Sequence, residues 1–178
     1  MSAYHKDVPA QKLAALFELR DGVLFWRDRP RSDFRGGAGW VNFNRQFAGK
    51  PAGARAKDGR LHVKINGRDY KSARVMWALF NGYWPLGHVD HKNGDVSDDR
   101  IENLRVATAQ QNAQNRSHIT NNSSGFVGVT YHKQTGKWWA RVTLAGKTQS
   151  LGLHLTILDA LAVVKEARKN LFGEFARE

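Results

Sequence analysis

The chain has no cysteine among its 178 residues, which excludes a disulfide framework and any metal site built on thiolates. No apolar run approaches the roughly 20 residues that a membrane-spanning helix needs. The N-terminus lacks a signal-peptide pattern, and no internal repeat or low-complexity segment is evident. We therefore expect a soluble, cytoplasmic protein without a membrane partner.

Acidic residues are scarce beside basic ones, because 28 Lys and Arg stand against 16 Asp and Glu, for a net charge of +12. A chain this basic is expected to bind a polyanion, first of all nucleic acid; the alternative is a basic surface that only keeps the protein soluble. Residues 1–72 carry 15 basic and 7 acidic residues, residues 73–118 carry 5 of each, and residues 119–178 carry 8 and 4. The middle segment thus has the highest ratio of acidic to basic residues. A cation site in this segment would need such acidic residues as ligands.

The middle segment contains an Asp-His pair, Asp90-His91, followed by Asn103 and then Asn112. In this pattern His91 could take a proton from water, while Asp90 and Asn112 offer oxygen ligands to a hard divalent cation such as Mg²⁺. Asn103 could accept a hydrogen bond from the imidazole and fix its tautomer. The alternative is an ordinary surface pair with asparagines in turns and caps.

Local sequence signals place these side chains close together. Residues 88–90 read as a strand end, residues 92–95 as a turn and residues 104–107 as a second short strand. Thr108 and Gln111 form a capping box, so that Asn112 lies in the first turns of a helix. A strand, a loop, a strand and a helix can bring the three distant side chains into one cleft.

This stretch resembles HNH endonucleases of the homing and phage type, whose ββα-metal (His-Me finger) motif reads DHxxGDxxDNRxxNLRxATxxQNxxN. The matching residues are Asp90-His91, Gly94-Asp95, Asp98, Arg100, Asn103-Leu104-Arg105, Ala107-Thr108, Gln111-Asn112 and Asn115.

The resemblance implies that His91 is the general base and that Asn103 orients it and braces the loop. It also implies that Asp90 and Asn112 are ligands of one Mg²⁺ or Mn²⁺ ion. Arg105 and Arg116 are expected to contact phosphates. Asp99 replaces an asparagine that the family usually has, and we expect this change to affect the loop rather than catalysis.

The N-terminal part is predicted to be β-rich and continuous with the nuclease. We expect a helix over residues 8–20, a basic loop over residues 27–35 that either follows a phosphate backbone or is merely solvated, and a hairpin turning at Asn66-Gly67. A helix over residues 73–81 should be capped by Ser72 and bury the side chains Val75, Met76, Leu79 and Phe80. The run 21–26, Arg74 and residues 82–85 resemble the lead-in of phage HNH proteins.

The C-terminal part follows a polar linker, residues 118–124, and is predicted to hold three strands (126–131, 137–143, 147–152) and a helix (156–171). Thr156 and Asp159 form its capping box. Alternate residues of a strand share a face, so one face of the sheet remains open to a major groove, which admits a β-ribbon. The residues expected to contact DNA there are Trp139, Arg141 as a reader of guanine, and Lys133, Lys137 and Lys147 on phosphates.

This unit is similar to the DNA-binding domain of the Apetala/ethylene-response-factor type. The resemblance rests on the segments 124–129, 136–138, 140–142, 146–147, 151–152 and 173–176. It departs from that family near His154, where an aromatic residue is usual, and at Leu158-Asp159-Ala160, where two acids usually precede the alanine. These departures put the DNA sequence preference in doubt, not the fold.

The sequence thus predicts an α+β protein with three parts: a β-rich lead-in (1–72), a ββα-metal nuclease core (73–118) and a three-stranded antiparallel sheet packed on one helix (119–178). The resemblances imply a metal-dependent endonuclease acting on double-stranded DNA at a preferred site, in the host cytoplasm if phage-encoded. One active site per chain would nick DNA as a monomer or cut both strands as a homodimer. The alternatives are a catalytically degenerate DNA-binding regulator and an RNA-binding protein.

Overall fold

The structure, a computed structural model, describes residues 8–114 and 124–176. These residues mix helices with short sheets and divide into two compact units. Within the described ranges, the first unit comprises residues 8–91 and 95–106, and the second comprises residues 92–94, 107–114 and 124–176. The predicted boundary at 118/119 and Arg116 lie outside the described residues. No helix in the described ranges is long and apolar enough to cross a membrane.

The first unit opens with a helix that is shorter than predicted. Helix α1 spans Ala10–Leu16, and the chain then changes to strand β1, Phe17–Arg20, which pairs antiparallel with β2, Val23–Trp26. The prediction of one helix over residues 8–20 is therefore wrong. The Asp-Gly turn that should have ended a helix instead closes a hairpin, since both Asp21 and Gly22 have positive φ as that turn type requires.

A second helix, α2 (Gly37–Phe47), follows a short 3₁₀ turn at Arg31–Asp33 and was not predicted. Glycines disfavour helix, but aromatic packing outweighs that preference here. The Phe43 ring lies 5.3 Å from the Trp26 ring and 5.6 Å from the Phe34 ring, centroid to centroid. Asn44 also accepts from the Arg29 backbone N–H and donates to the Arg29 carbonyl, both at 3.0 Å.

A three-stranded antiparallel sheet joins β3 (Ala54–Arg55), β4 (Leu61–Ile65) and β5 (Arg68–Lys71) in that order. The turn between β4 and β5 is Asn66-Gly67, with positive φ at both residues, so the predicted hairpin is confirmed. Helix α3 (Ser72–Asn81) follows at once and ends at Gly82 in the left-handed conformation. The predicted cap is wrong, because Ser72 lies inside the helix and no side chain caps it.

The core of the first unit is formed by one face of α3 together with α1 and the neighbouring strands. Val75 and Met76 are fully buried as predicted, whereas Phe80 is 60% exposed and does not belong to the buried face. Trp77 and Trp84 pack against this cluster as ordinary core residues. The buried members also include Leu13, Leu16, Phe17, Leu24, Trp26, Val63 and Ile65.

Two short strands, β6 (His88–His91) and β7 (Leu104–Ala107), pair into a sheet. The connection between them ends in a 3₁₀ turn at Ile101–Asn103. Helix α4 (Ala109–Gln114) follows β7 and belongs to the second unit. Its predicted capping box is confirmed, since the Gln111 backbone N–H donates to Thr108 Oγ1 and the Thr108 N–H donates to Gln111 Oε1.

The second unit contains β8 (Val129–His132), β9 (Lys137–Leu144) and β10 (Lys147–His154). They form an antiparallel sheet in the order β10-β9-β8, with an irregularity in register between Ser150 and Gly152. Helix α5 (Ile157–Phe172) begins at Thr156, whose hydroxyl accepts from the Asp159 backbone N–H. The sheet and helix enclose a core of Val129, Ala140, Ala160 and Val164.

Candidate active site

His91 and Asp90 end strand β6 and are both buried, with 6% and 7% of their surface exposed. The segment leading into the strand is held from α3, because the Arg74 guanidinium donates to the carbonyls of Gly87 at 2.7 Å and Pro85 at 2.9 Å. This arginine is part of the predicted lead-in pattern. Its contacts fix the segment that leads into the strand carrying Asp90 and His91.

Asp90 forms a buried ion pair with Arg105 of β7. Both Nε and Nη2 of Arg105 lie 2.9 Å from Oδ2 of Asp90, and Arg105 is 8% exposed. Charge-assisted hydrogen bonds of this kind are among the stronger polar contacts in proteins. Arg105 thus holds the carboxylate that was predicted to bind a metal. Its expected contact with a DNA phosphate stays a prediction.

The imidazole of His91 contacts a carboxylate that sequence reasoning had assigned to the loop alone. Nε2 of His91 lies 2.8 Å from Oδ1 of Asp99. Asp99 is 4% exposed, and its Oδ2 has no hydrogen-bond partner among the described residues. The position where this chain departs from the family pattern therefore touches the candidate base directly. That departure was the signal in the sequence that could have led to it.

Asn103 ends the 3₁₀ turn before β7, and its side-chain amide donates to the Asp98 carbonyl at 2.7 Å. This bond ties the turn to the loop that carries Asp99. Through such a contact Asn103 can brace the loop, which is one of the two roles predicted for it. The orientation of His91 by Asn103 stays a prediction. In the same loop, two contacts of 2.8 Å join the Asp98 carboxylate to the Arg100 guanidinium.

The rest of the loop between β6 and β7 is ordered by local hydrogen bonds. The Ser97 hydroxyl, helped by its backbone N–H, holds the pKa of the Asp95 carboxyl below its usual range. The β1–β2 turn supports the loop from outside, because a Cβ added at Gly22 would lie 2.3 Å from Cγ of Arg100. The loop thus depends on a close approach that only glycine permits.

The oxygen donors of the site suit a small hard cation better than zinc. In residues 8–114 and 124–176, no group of three or more His, Cys, Asp or Glu side chains could hold a metal ion. Mg²⁺ usually keeps several waters and takes only one or two carboxylates from the protein, so a single carboxylate such as that of Asp90 is compatible with such an ion. The orphaned Oδ2 of Asp99 adds a buried acceptor to the same unit.

The remaining predicted site residues lie in the second unit or outside the residues that the structure describes. Asn112 is on α4, half-buried, with its backbone N–H donated to the Thr108 carbonyl, and its approach to Asp90 stays a prediction. Of the residues expected to contact DNA, three lie on β9 (Lys137, Trp139 and Arg141), Lys147 begins β10 and Lys133 lies in the turn between β8 and β9. Arg116 is outside the described residues.

Trp139 and Arg141 form one feature on β9. The Arg141 guanidinium lies 4.7 Å from the centre of the Trp139 ring, and Trp139 Nε1–H donates to Ser150 Oγ of β10 at 2.9 Å. Their neighbours Ala140 and Val142 are buried. The strand thus shows the predicted alternation, with Trp139 and Arg141 on the face opposite the buried side chains.

Comparison with known proteins assigns the segment that carries Asp90 and His91 to a family. Residues 70–114, which include Asp90, His91, Asn103 and Asn112, match the family model for HNH endonuclease. The chain belongs to the HNH endonuclease family. It is similar to Protein 3.8 of Escherichia phage T7, with 32% identity over 112 residues that cover 61% of this chain and 92% of that protein. No solved structure matches the chain.

Proposed function

We propose that the chain is a metal-dependent endonuclease that hydrolyses phosphodiester bonds of double-stranded DNA, with His91 as the general base. The observation that carries this proposal is the arrangement of His91 in the segment matched to HNH endonucleases: it is buried at the end of β6, next to Asp90, with one ring nitrogen on a carboxylate. A histidine next to a carboxylate in this way has its ring orientation set by the protein, as a general base requires.

The proposed reaction is a direct hydrolysis. His91 removes a proton from a water molecule, whose oxygen bonds to phosphorus while the bond from phosphorus to the 3′ oxygen breaks. Positioned general bases contribute about 10²–10⁴-fold to such rates. Asp90 and Asn112 would hold a Mg²⁺ or Mn²⁺ ion, which supplies positive charge for the phosphate and the departing oxygen. Asn103 keeps the loop beside His91 in place through its bond to Asp98.

The second unit supplies DNA affinity in this proposal. The β9 face that carries Lys137, Trp139 and Arg141 is turned away from the buried Ala140 and Val142, which supports its use as a groove-binding surface. Arg141 would contact guanine, and Lys133, Lys137 and Lys147 would contact phosphates. With this surface, of the Apetala/ethylene-response-factor kind, the protein acts as a homing-type nuclease at a preferred site.

Supercoiled plasmid cleavage tests the proposal. Wild type should convert plasmid to open circles in Mg²⁺ or Mn²⁺ and leave it intact in EDTA. His91→Ala should abolish cleavage and leave DNA affinity unchanged. The matched control is His62→Ala, because His62 is also paired with an aspartate, at 2.6 Å from Asp69, in the same unit but outside the site. His62→Ala should cut like wild type.

Two further outcomes decide between the alternatives. Linear product formed without an open-circle intermediate indicates paired active sites, and therefore a homodimer at the cut. Binding of duplex DNA with no cleavage in either metal, across a plasmid library of random inserts, contradicts the nuclease. That result favours a DNA-binding regulator, in which the buried ion pair between Asp90 and Arg105 serves the fold alone.

A further inference from the structure

Asp99 makes a buried contact with the candidate base that the reaction above does not yet use. Its Oδ1 lies 2.8 Å from Nε2 of His91, and both side chains are more than nine-tenths buried. The two residues are eight positions apart, at opposite ends of the loop that follows β6. The loop is folded around this contact by the bonds of Asp95 to Ser97 and of Asn103 to Asp98.

The chemistry of the pair determines which ring nitrogen carries a proton. An ionised carboxylate can only accept hydrogen bonds, and a neutral imidazole has one N–H and one lone pair. Contact with Asp99 therefore requires the hydrogen on Nε2 and leaves the lone pair on Nδ1. We infer that Asp99 is a positioning residue that fixes His91 in the Nε2–H tautomer and makes Nδ1 the nitrogen that accepts the proton of the attacking water.

This inference rests on the proposed function and completes its proton balance. The water proton moves to Nδ1, the water oxygen forms the new bond to phosphorus, and the 3′ oxygen leaves with the electron pair and takes a proton from solvent. His91 becomes an imidazolium with both nitrogens protonated. Asp99 compensates that charge, because its Oδ1 lies 2.8 Å from Nε2 and a buried charge is stabilised by an adjacent opposite charge.

The side chain at position 99 matters because an amide would act differently. An asparagine can donate through its amide nitrogen or accept through its oxygen, so that it is compatible with either tautomer of His91. A carboxylate is compatible with only one neutral form. Asp99 thus restricts neutral His91 to one tautomer, which an asparagine at this position would not do.

The experiment combines NMR of the imidazole with cleavage kinetics on the full chain. Long-range proton–nitrogen spectra, with the His91 signals assigned by their absence in His91→Ala, should show Nε2 protonated and Nδ1 unprotonated in wild type. Asp99→Asn keeps the shape and should give a mixture of tautomers. Its single-turnover rate should fall about 10–100-fold, the usual effect of losing an orienting partner, while the Kd for DNA stays within about twofold.

The control is Asp69→Asn, which removes the carboxylate from the other His-Asp pair, on His62. It should change neither the His91 spectrum nor the cleavage rate. A wild-type His91 protonated on Nδ1 alone, or an Asp99→Asn variant that cuts at the wild-type rate, overturns the inference while leaving the nuclease in place. A wild type that shows the Nε2–H tautomer, lost in Asp99→Asn, but cuts no DNA overturns the proposed function and leaves the positioning by Asp99 intact.

Discussion

Arg105 donates from two nitrogens to a single oxygen of Asp90, each at 2.9 Å, and both residues are buried. The pair joins the two strands of the β6–β7 sheet, so that it acts on the fold as well as on the candidate site. Removing one partner of a buried ion pair costs more than the pair contributes, because the other charge is left without compensation. Substitution of Arg105 therefore tests whether its ion pair with Asp90 stabilises the fold around the candidate site.

Arg105→Ala should lower the free energy of unfolding by about 3–5 kcal/mol, the usual cost of removing one partner of a buried ion pair. Urea unfolding measures this, and Lys64→Ala is the control, since Lys64 is an exposed cation of the same unit whose loss should change stability by about 0.5 kcal/mol or less. The double variant with Asp90→Asn should recover part of the loss. Arg105→Ala with wild-type stability, but a shallower dependence of DNA affinity on salt, would instead assign the arginine to a phosphate.

Asn112→Ala should raise the Mg²⁺ concentration needed for half-maximal cleavage, by about 10-fold or more, because the ion would lose one of its protein oxygens. Asn112→Asp, which retains an oxygen, should recover cleavage at lower Mg²⁺. A titration of metal against cleavage rate measures both. The matched control is Gln110→Ala, on the exposed side of the same helix. An equal shift in Gln110→Ala would mean that Asn112→Ala acts through helix α4 and not through the ion.

Lys137→Ala should reduce the slope of log affinity against log salt by about one, the effect expected from a single lost phosphate contact. Lys137 begins β9, on the same face as Trp139 and Arg141. Lys165→Ala is the control, since that lysine is exposed on α5, the helix that packs against the buried side of the sheet. Fluorescence anisotropy of a labelled duplex over a salt series gives the slopes. The groove-binding assignment fails if the two variants change them equally.

Local sequence signals correctly predicted the elements that are stabilised by interactions among neighbouring residues. The Asn66-Gly67 hairpin and the Thr108–Gln111 capping box are both present as expected. Each depends on a turn conformation or a reciprocal hydrogen bond that neighbouring residues supply by themselves. The helix at Ser72–Asn81 was placed within one residue for the same reason, because Gly82 ends it.

Elements that depend on distant partners were missed. Helix α2 has no strong local signal, and it is held by rings from other segments, such as Trp26 against Phe43. The site shows the same limit. The motif region also contains Arg105 and Asp99, but the sequence did not show that Arg105 pairs with Asp90 and that Asp99 contacts His91. A sequence pattern can identify the reactive side chains, but it does not show which contacts orient them.

The turn at Gly22 gives a prediction that links the lead-in hairpin to the site loop. Gly22 and Gly67 have nearly the same positive φ, +78° and +79°, so alanine at either position meets the same backbone strain, of the order of 1 kcal/mol. Their surroundings differ. A Cβ at Gly67 meets nothing within 4 Å, whereas a Cβ at Gly22 would lie 2.3 Å from Cγ and 3.1 Å from Cα of Arg100.

Gly22→Ala should therefore displace Arg100, and with it the neighbouring Asp99 and its contact with His91. We expect Gly22→Ala to be less stable than Gly67→Ala in urea unfolding and to cut plasmid at least about 10-fold more slowly when both variants are folded. Gly67→Ala should cut at the wild-type rate, because a Cβ at Gly67 meets nothing within 4 Å and so displaces no neighbour. Equal cleavage by the two variants would show that the contact between Asp99 and His91 persists when the β1–β2 turn is perturbed. Gly22 would then be required only for the β1–β2 hairpin.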